Sequence, residues 1–459
     1  MNMNSLNPLM FRAYDIRGIY PEDINEENAF IIGKSFGTYV SKLGKKEALV
    51  GYDNRMSSPL LSKALIKGII STGINVINLG LVTTPMYYFA RFHLNVWSGI
   101  MITASHNPSN HNGFKMSFTE DGNALGQEIK DFYEFTLKNN FITGQGIEKK
   151  HDITNVYIEL VKNSLNFENN RIKVVVDCGN GTTSIVIKEI LKNLPLEYEL
   201  LYATSDPEFP NHHPDPSVPS NLKDLQEKVV ELNYDMGIAL DADGDRVGIV
   251  DHLGNIINSD LYMIIMYRYL QDKVNNKTAL YDVKCSKSLT DELKKLGFKQ
   301  IMNRTGNSYL YRRLHQENIE FGGEYSGHIF FKDRFPGFDD GIYAGLRLAE
   351  VLSVTNKTIP ELIMGINYYH STDEIKIPVK DEHKFLVIDM IKDILKQKNY
   401  KFSEIDGIRF ETDNYWFLIR VSNTTPHLTL RFEATTEELL ESIKNEYLAF
   451  TQKIINSIL

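Results

Sequence analysis

Asp241, Asp243 and Asp245, in the run DADGDR, put three carboxylates on alternate residues just after the apolar residues 237–240. Like charges so close raise one another's pKa, so the three stay ionised together only beside a cation. All-oxygen ligation suits Mg²⁺, which combines a few carboxylates with substrate phosphate oxygens, and Gly244 lets the backbone turn sharply enough for the side chains to converge. A calcium EF-hand is excluded, because its glycine belongs at loop position six and its glutamate at twelve; here Gly244 is fourth and His252 twelfth. The alternative is an exposed acidic turn.

A second stretch, 96–115 (VWSGIMITASHNPSNHNGFK), breaks from an apolar run into Ser105-His106-Asn107-Pro108 and then reaches Lys115. Residues 96–104 are predicted to form a buried strand, which places Ser105 at a strand end, where open α/β sheets bind ligands. A serine there can carry a transferred group, or be an ordinary Ser/Asn turn. Glu324, Ser326 and His328 in GGEYSGH alternate, so an extended backbone projects all three to one side, toward sugar hydroxyls or toward water. Arg420, Ser422, Asn423, Thr424 and Thr425, before Pro426, offer donors of the kind that a phosphate monoester needs, or else form a Ser/Thr-rich hairpin loop. Arg431 reads as structural.

The elements that would hold these loops repeat. A helix is predicted over 26–43; residues 48–52 form a strand before Asp53, Ser58-Pro59 caps a helix, and 75–79 form the next strand. The same strand–helix–strand rhythm returns from Arg171, with a strand ending at Asp177 and another at 198–202. It returns again from Lys277, where TALYDVKCS, which contains Lys284, is followed by a helix and the strand 299–302. Three divergent copies of one α/β unit explain this, and they put the Ser105, Asp241 and Glu324 loops in equivalent positions around a common cleft. From about residue 368 a strand at 374–378, a helix at 384–396, further strands and a last helix describe a small α+β domain. The fold class expected is α/β: three topologically similar mixed α/β domains (1–150, 151–255 and 256–367) plus a smaller α+β C-terminal domain (368–459), arranged around a central cleft.

Bulk properties are those expected of an ordinary soluble globular protein. The 459 residues are 42% hydrophobic and 24% charged, with a net charge of −9 and no basic tract, which argues against nucleic acid as a partner. Cys178 and Cys285 are the only cysteines, too few for a disulfide framework, and a reducing cytosol fits. No run approaches a membrane span, and the first residues lack a basic start followed by an apolar stretch. A cytoplasmic monomer or weak homo-oligomer, without membrane partners, is expected.

With FRAYDIRG, TASHNP, DADGDR, GEYSGH and RVSNTTP in this order, nearly the whole chain resembles the α-D-phosphohexomutases, the family of phosphoglucomutases and phosphomannomutases. The resemblance implies a heart-shaped molecule, Ser105 as phosphoserine, Mg²⁺ held by Asp241, Asp243 and Asp245 with Ser105, and Arg17, Lys115 and Arg246 around the transferred phosphoryl. It implies sugar contacts from Glu324, Ser326 and His328, and a substrate phosphate held by Arg420, Ser422, Asn423, Thr424 and Thr425. Lys284 and Asn307 join the substrate-binding set, and Lys115 and His328 are the candidates for moving the hydroxyl proton. The implied reaction interconverts hexose 1- and 6-phosphates, of mannose or glucose, through a hexose 1,6-bisphosphate. In the loop Arg304-Thr305-Gly306-Asn307-Ser308, Asn307 stands where bacterial members often have histidine; an amide cannot exchange a proton, so Asn307 is expected to orient a sugar hydroxyl or phosphate. The alternatives are a phosphoglucosamine mutase, a haloacid-dehalogenase-type phosphatase with Asp241 as nucleophile and Asp339-Asp340 as its later acidic pair, and a binding protein for sugar phosphates.

Overall fold

A computed structural model describes residues 6–168, 171–422 and 426–458. The first sheet contains β1 (Ile16–Ile19), β2 (Glu47–Tyr52), β3 (Asn75–Leu81), β4 (Gly99–Ile102), β5 (His111–Thr119), β6 (Gly122–Asn123) and β7 (Glu148–Lys150), in the order β1-β5-β4-β2-β3-β7 with β6 on β5. The second contains β8 (Ile172–Asp177), β9 (Leu196–Leu201), β10 (Met236–Leu240), β11 (Val247–Asp251) and β12 (Ile256–Ile257), in the order β12-β11-β10-β8-β9. The third contains β13 (Thr278–Asp282), β14 (Lys299–Asn303), β15 (Phe321–Gly323) and β16 (Ile329–Phe331), in the order β14-β13-β15-β16.

One four-strand pattern recurs: β3-β2-β4-β5, β9-β8-β10-β11 and β14-β13-β15-β16. In each, three strands are parallel and the fourth turns back antiparallel. The loops carrying Ser105, Asp241 and Glu324 follow β4, β10 and β15, the same strand of each unit. The central strands are apolar on both faces because helices cover both sides, as the fully buried Val174 and Val175 illustrate.

Local details depart from expectation. The strand expected over 96–104 is paired only at Gly99–Ile102, since residues 103–105 leave the sheet to form the loop. Ser58 does not cap its helix: it lies in the first turn of Ser58–Ile70, and its hydroxyl donates to Asp53 Oδ1 at 2.5 Å. Glu324 to His328 is not extended backbone. It is a tight reversal joining β15 to β16, closed by Glu324 N–H to the His328 carbonyl (2.8 Å) with Gly327 at φ +96°.

The three units share one apolar core, running from Tyr87 and Phe89 through Ile238 and Met263 to Leu310 and Tyr343. The helix Gly341–Thr355 packs on strands of both the second and third sheets. The C-terminal domain has an antiparallel sheet of β17 (His370–Ser371), β18 (Ile375–Pro378), β19 (Phe402–Ser403), β20 (Ile408–Glu411), β21 (Tyr415–Val421) and β22 (His427–Ala434), with two helices and a core of its own around Ile391, Phe417 and Leu430. Among the described residues no helix is long and apolar enough to cross a membrane.

Candidate active site

A cavity of about 440 Å³ is lined by all four parts of the chain: Arg17, Ser105 and Lys115 from the first, Arg246 from the second, Lys284, Asn307, Glu324, Ser326 and His328 from the third, and Arg420 and Ser422 from the fourth. Asn423, Thr424 and Thr425 lie outside the described residues.

Its floor is built where the first two units meet. Ser105, with φ +50°, donates from Oγ to Asp241 Oδ2 at 3.0 Å and lies 3.2 Å from His106 Nδ1. The acidic loop is clamped on both sides: Thr84 N–H, at a helix start of the first unit, donates to the Asp243 carbonyl, and Gly341 N–H, at a helix start of the third, donates to that of Gly244. Asp243 Oδ2 accepts from Thr84 Oγ1 (2.6 Å), Thr103 Oγ1 (3.1 Å) and Lys115 Nζ (2.8 Å), and Lys115 also reaches Asp245 Oδ2 at 2.6 Å.

The three aspartates can present ligand oxygens within 4.8 Å of one another, and all are fully buried. Burial, with the neighbouring charges of Asp243 and Asp245, pushes Asp241 up to about 8. Burial and Asp243 also raise Asp245, while Lys115 overcomes burial to hold Asp243 far below the usual carboxylate range. Lys115, with an Arg246 that is shared with Asp215, is therefore insufficient charge for three carboxylates. Asp243 Oδ1 and Asp245 Oδ1 are buried without a hydrogen-bond partner among the described residues, the state expected of oxygens that bind a cation. The donor set fits a hard divalent metal ion.

Cations surround this floor. Arg246 Nε donates to Asp241 Oδ2 (3.2 Å) and its Nη1 lies 3.2 Å from Asp215; Arg17 is held by Asp15 (2.6 Å) and Asn107 Oδ1 (2.9 Å); Arg420 Nε donates to Asp406 (2.9 Å). Each keeps one buried nitrogen without a partner among the described residues: Arg17 Nε, Arg246 Nη2 and Arg420 Nη2. Unsatisfied guanidinium donors lining one cavity suit an oxyanion ligand. Lys284 instead is engaged with Glu374 at 2.9 Å.

The sugar-loop residues meet here too. Glu324 accepts from Gly306 N–H at 2.5 Å, and burial raises it to about 7. His328 Nδ1 donates to Asp339 Oδ2 at 2.7 Å; burial opposes its charge, but Asp245 and Asp339 prevail and hold it up to about 9. Asn307 Nδ2 donates to the same Asp339 oxygen at 2.9 Å. The Asn307 amide is thus tied to the carboxylate behind His328 through one of its two N–H groups, and it also lines the cavity.

Models of the phosphoglucomutase/phosphomannomutase α/β/α domains I, II and III match residues 8–142, 155–254 and 258–369, and the model of that family's C-terminal domain matches 374–449. The chain belongs to the phosphoglucomutase/phosphomannomutase family. It is 40% identical over 439 residues to a phosphomannomutase/phosphoglucomutase of Pseudomonas putida, covering 95% of this chain and 94% of that protein. A phosphoglucomutase of Neisseria gonorrhoeae is 35% identical over 453 residues, 97% of each chain. The crystal structure of a phosphoglucomutase/phosphomannomutase family protein from Burkholderia thailandensis matches with a TM-score of 0.90 and 33% identity over 98% of both chains.

Family membership removes the phosphatase alternative. Asp241 Oδ1 accepts from the N–H groups of Gly244 and Arg246, and Oδ2 accepts from Ser105 and Arg246. Asp340 caps the helix Gly341–Thr355 and accepts from Tyr157, while Asp339 serves His328 and Asn307. Sequence reasoning missed Arg55, Asp215 and Asp406, none of which belongs to the motifs singled out, and it named Asp339 only in the acidic pair of the phosphatase alternative. A signal existed for one of them: Asp215 sits in the cluster His212-His213-Pro214-Asp215, an unusual concentration of titratable groups in one loop.

Proposed function

We propose that this family member interconverts hexose 1-phosphates and hexose 6-phosphates, of mannose and glucose, with Ser105 as the carrier of the phosphoryl group. The observation that carries the reading is the Ser105 hydroxyl, hydrogen-bonded to Asp241 on the floor of a cavity to which the fourth domain brings Arg420. In the forward half-reaction the serine O–P bond breaks, the phosphorus bonds to the free sugar hydroxyl, and the proton of that hydroxyl ends on the serine oxygen, giving a hexose 1,6-bisphosphate. After the bisphosphate turns round, the reverse half-reaction returns the other phosphoryl to Ser105.

Asp241, Asp243 and Asp245, with a Ser105 oxygen, would hold Mg²⁺, which supplies positive charge to the phosphoryl oxygens when bound. Arg17 and Arg246 stabilise the charge that spreads over those oxygens in a loose transition state, and cost no reorganisation because acidic partners already hold them. Lys115, bonded to Asp243 and Asp245 at 2.8 and 2.6 Å, and His328, bonded to Asp339 at 2.7 Å, are the candidates for moving the hydroxyl proton, and His328 also donates to the sugar or its phosphate. Glu324 and Ser326 accept and donate hydrogen bonds to sugar hydroxyls, and Arg420 and Ser422, with Asn423, Thr424 and Thr425, hold the phosphate that is not being transferred. Every one of these residues comes from one chain, so a monomer suffices.

Purified protein should carry one phosphate on Ser105, read by intact mass and peptide mapping. Ser105→Ala should lose at least about 10⁴-fold in turnover, as removal of an activated nucleophile does, yet still bind hexose phosphate. Mannose, glucose and glucosamine phosphates assayed side by side rank the sugars. Phosphate found on Asp241, or undiminished turnover in Ser105→Ala, would refute the proposal.

A further inference from the structure

The loop that carries Ser105 is held by one side chain which the chemistry above does not use. Arg55 is 1% exposed, and its fork gathers four backbone carbonyls of a single loop. Nη2 donates to the carbonyls of Ser105 (2.5 Å) and Asn107 (2.6 Å), Nη1 to those of Pro108 (2.5 Å) and His111 (3.1 Å). The remaining nitrogen, Nε, donates to Asp53 Oδ2 at 3.2 Å, and Asp53 Oδ1 is fixed in turn by Ser58 Oγ and by the Arg55 N–H. The guanidinium also lies over the ring of Phe209, from the second unit, at 5.5 Å. Next to it, Asn54 donates to the Asn180 carbonyl (2.9 Å) and to Ser205 (3.0 Å), which fastens the same turn to that unit.

This arrangement answers a conformational problem. Ser105 is a non-glycine residue at φ +50°, a backbone state that persists only where surroundings over-determine it. Converging carbonyls repel one another unless a multivalent donor sits between them, and a planar guanidinium with five N–H groups can do so where an ammonium cannot. We propose that Arg55 is the positioning residue of the phosphoryl-transfer step: it holds the 105–111 loop so that Ser105 Oγ lies against Asp241, and couples that loop to the second unit, which carries the metal-binding aspartates. This rests on Ser105 being the phosphoryl carrier.

Wild-type protein is first tested for phosphate on Ser105 and for mutase turnover, which decides the functional reading by itself. Arg55→Lys, which keeps the charge but loses the fork, is then compared with Arg55→Met and with Asp53→Asn, a milder change that loosens the Nε anchor. Hydrogen exchange of the amides of residues 105–111 in the unliganded proteins should rise by about tenfold or more, as for a segment released into local opening, with the helix Glu26–Lys42 unchanged. In the same variants kcat should fall about 100-fold, the cost of misplacing reacting atoms by about 1 Å, with Asp53→Asn falling less. KM for hexose phosphate should stay within about threefold, because the ground-state contacts lie on other loops. Should Arg55→Met not fold, Arg55→Lys and Asp53→Asn decide. Unchanged loop exchange overturns the proposal whether or not Ser105 carries phosphate, and so does an unchanged kcat in variants of an active wild type.

Discussion

The seam between the first three units and the seam that joins them to the fourth domain are made of different material. Tyr87, Ile238 and Tyr343 belong to three units and one continuous core. Between the third unit and the fourth domain the buried apolar contact is small, Val283 with Trp416 and Leu418. Hydrogen bonds carry the rest: Arg409 Nη1 reaches the carbonyls of Val283 (2.6 Å) and Cys285 (2.8 Å), Lys287 Nζ that of Thr412 (2.7 Å), and Arg431 bonds the Lys284 carbonyl while stacking on Tyr325 at 3.8 Å. A shared close-packed core cannot shear without losing contacts, whereas a polar seam can exchange its bonds for water. On the proposed function the chemistry would sit on the apolar side, with Ser105 and the aspartates at a fixed junction, and the grip on the distant phosphate on the polar side.

Four measurements would break or sharpen that contrast. The largest effect is expected from Asp243→Asn, which strips one charge from the floor and leaves Lys115 paired with Asp245 but not with a second carboxylate: turnover should fall about 10²–10³-fold, as when a preorganised charge is lost, and more added Mg²⁺ should be needed. Full activity in excess chelator would show that the floor works without a metal. On the other side, Arg420→Met should raise KM for 1- and 6-phosphates alike by about 10–100-fold, the worth of a charged hydrogen bond, with a smaller change in kcat. A kcat effect larger than the KM effect would move Arg420 into the reacting group.

The seam itself is tested by Arg409→Met, which leaves two buried carbonyls unpaired at a cost of about 2–4 kcal/mol. Urea unfolding followed by Trp416 fluorescence should then separate from the far-ultraviolet signal, because the fourth domain has its own core and unfolds first; coincident transitions would mean that the seam is stronger than its composition implies. The smallest effect concerns His315, packed at the junction of the first and third units against Tyr311 at 4.3 Å and Phe92 at 6.1 Å. Burial lowers it to about 4, although its bond to the Gly337 carbonyl opposes this. The folded protein holds it neutral while an unfolded chain protonates near pH 6.5, so its contribution is full above 6.5 and is lost as pH falls toward 4. Between pH 7 and 5 the melting temperature of wild type should drop roughly 1–2 °C more than that of His315→Gln, a difference worth about 1 kcal/mol in a chain of this size.

Much of the fold was legible because the repeat is written in local terms: apolar strands closing on Asp53, Asp177 and Asp282, each followed by a helix of regular spacing. Those signals located three copies, and topology then makes the loops after β4, β10 and β15 equivalent. Two failures are local, a hydrogen bond within a few residues overriding the preference read from residue type: Ser58 has a cap's sequence but serves Asp53, five residues back, and the alternation of Glu324, Ser326 and His328 gives way to a reversal closed at Gly327. The distant partners of buried charges were illegible for another reason. Arg55 gathers carbonyls some 50 residues away, Asp215 faces Arg246 and Asp406 faces Arg420, and those roles exist only once the chain has folded.

The reversal at Gly327 is stitched to the second unit: Val247 N–H donates to the Gly327 carbonyl at 3.1 Å, Arg246 and His328 pair as a β-bridge, and a Cβ at 327 would meet the Val247 carbonyl at 2.6 Å. Neither loop can therefore be lengthened or shortened without dragging the other. On the proposed function, a change of sugar preference, whether in the laboratory or by descent, would come from exchanging side chains such as Ser326 or Asn307 on an unaltered backbone trace, and libraries that vary loop length here would mostly disturb the Asp241–Asp245 loop.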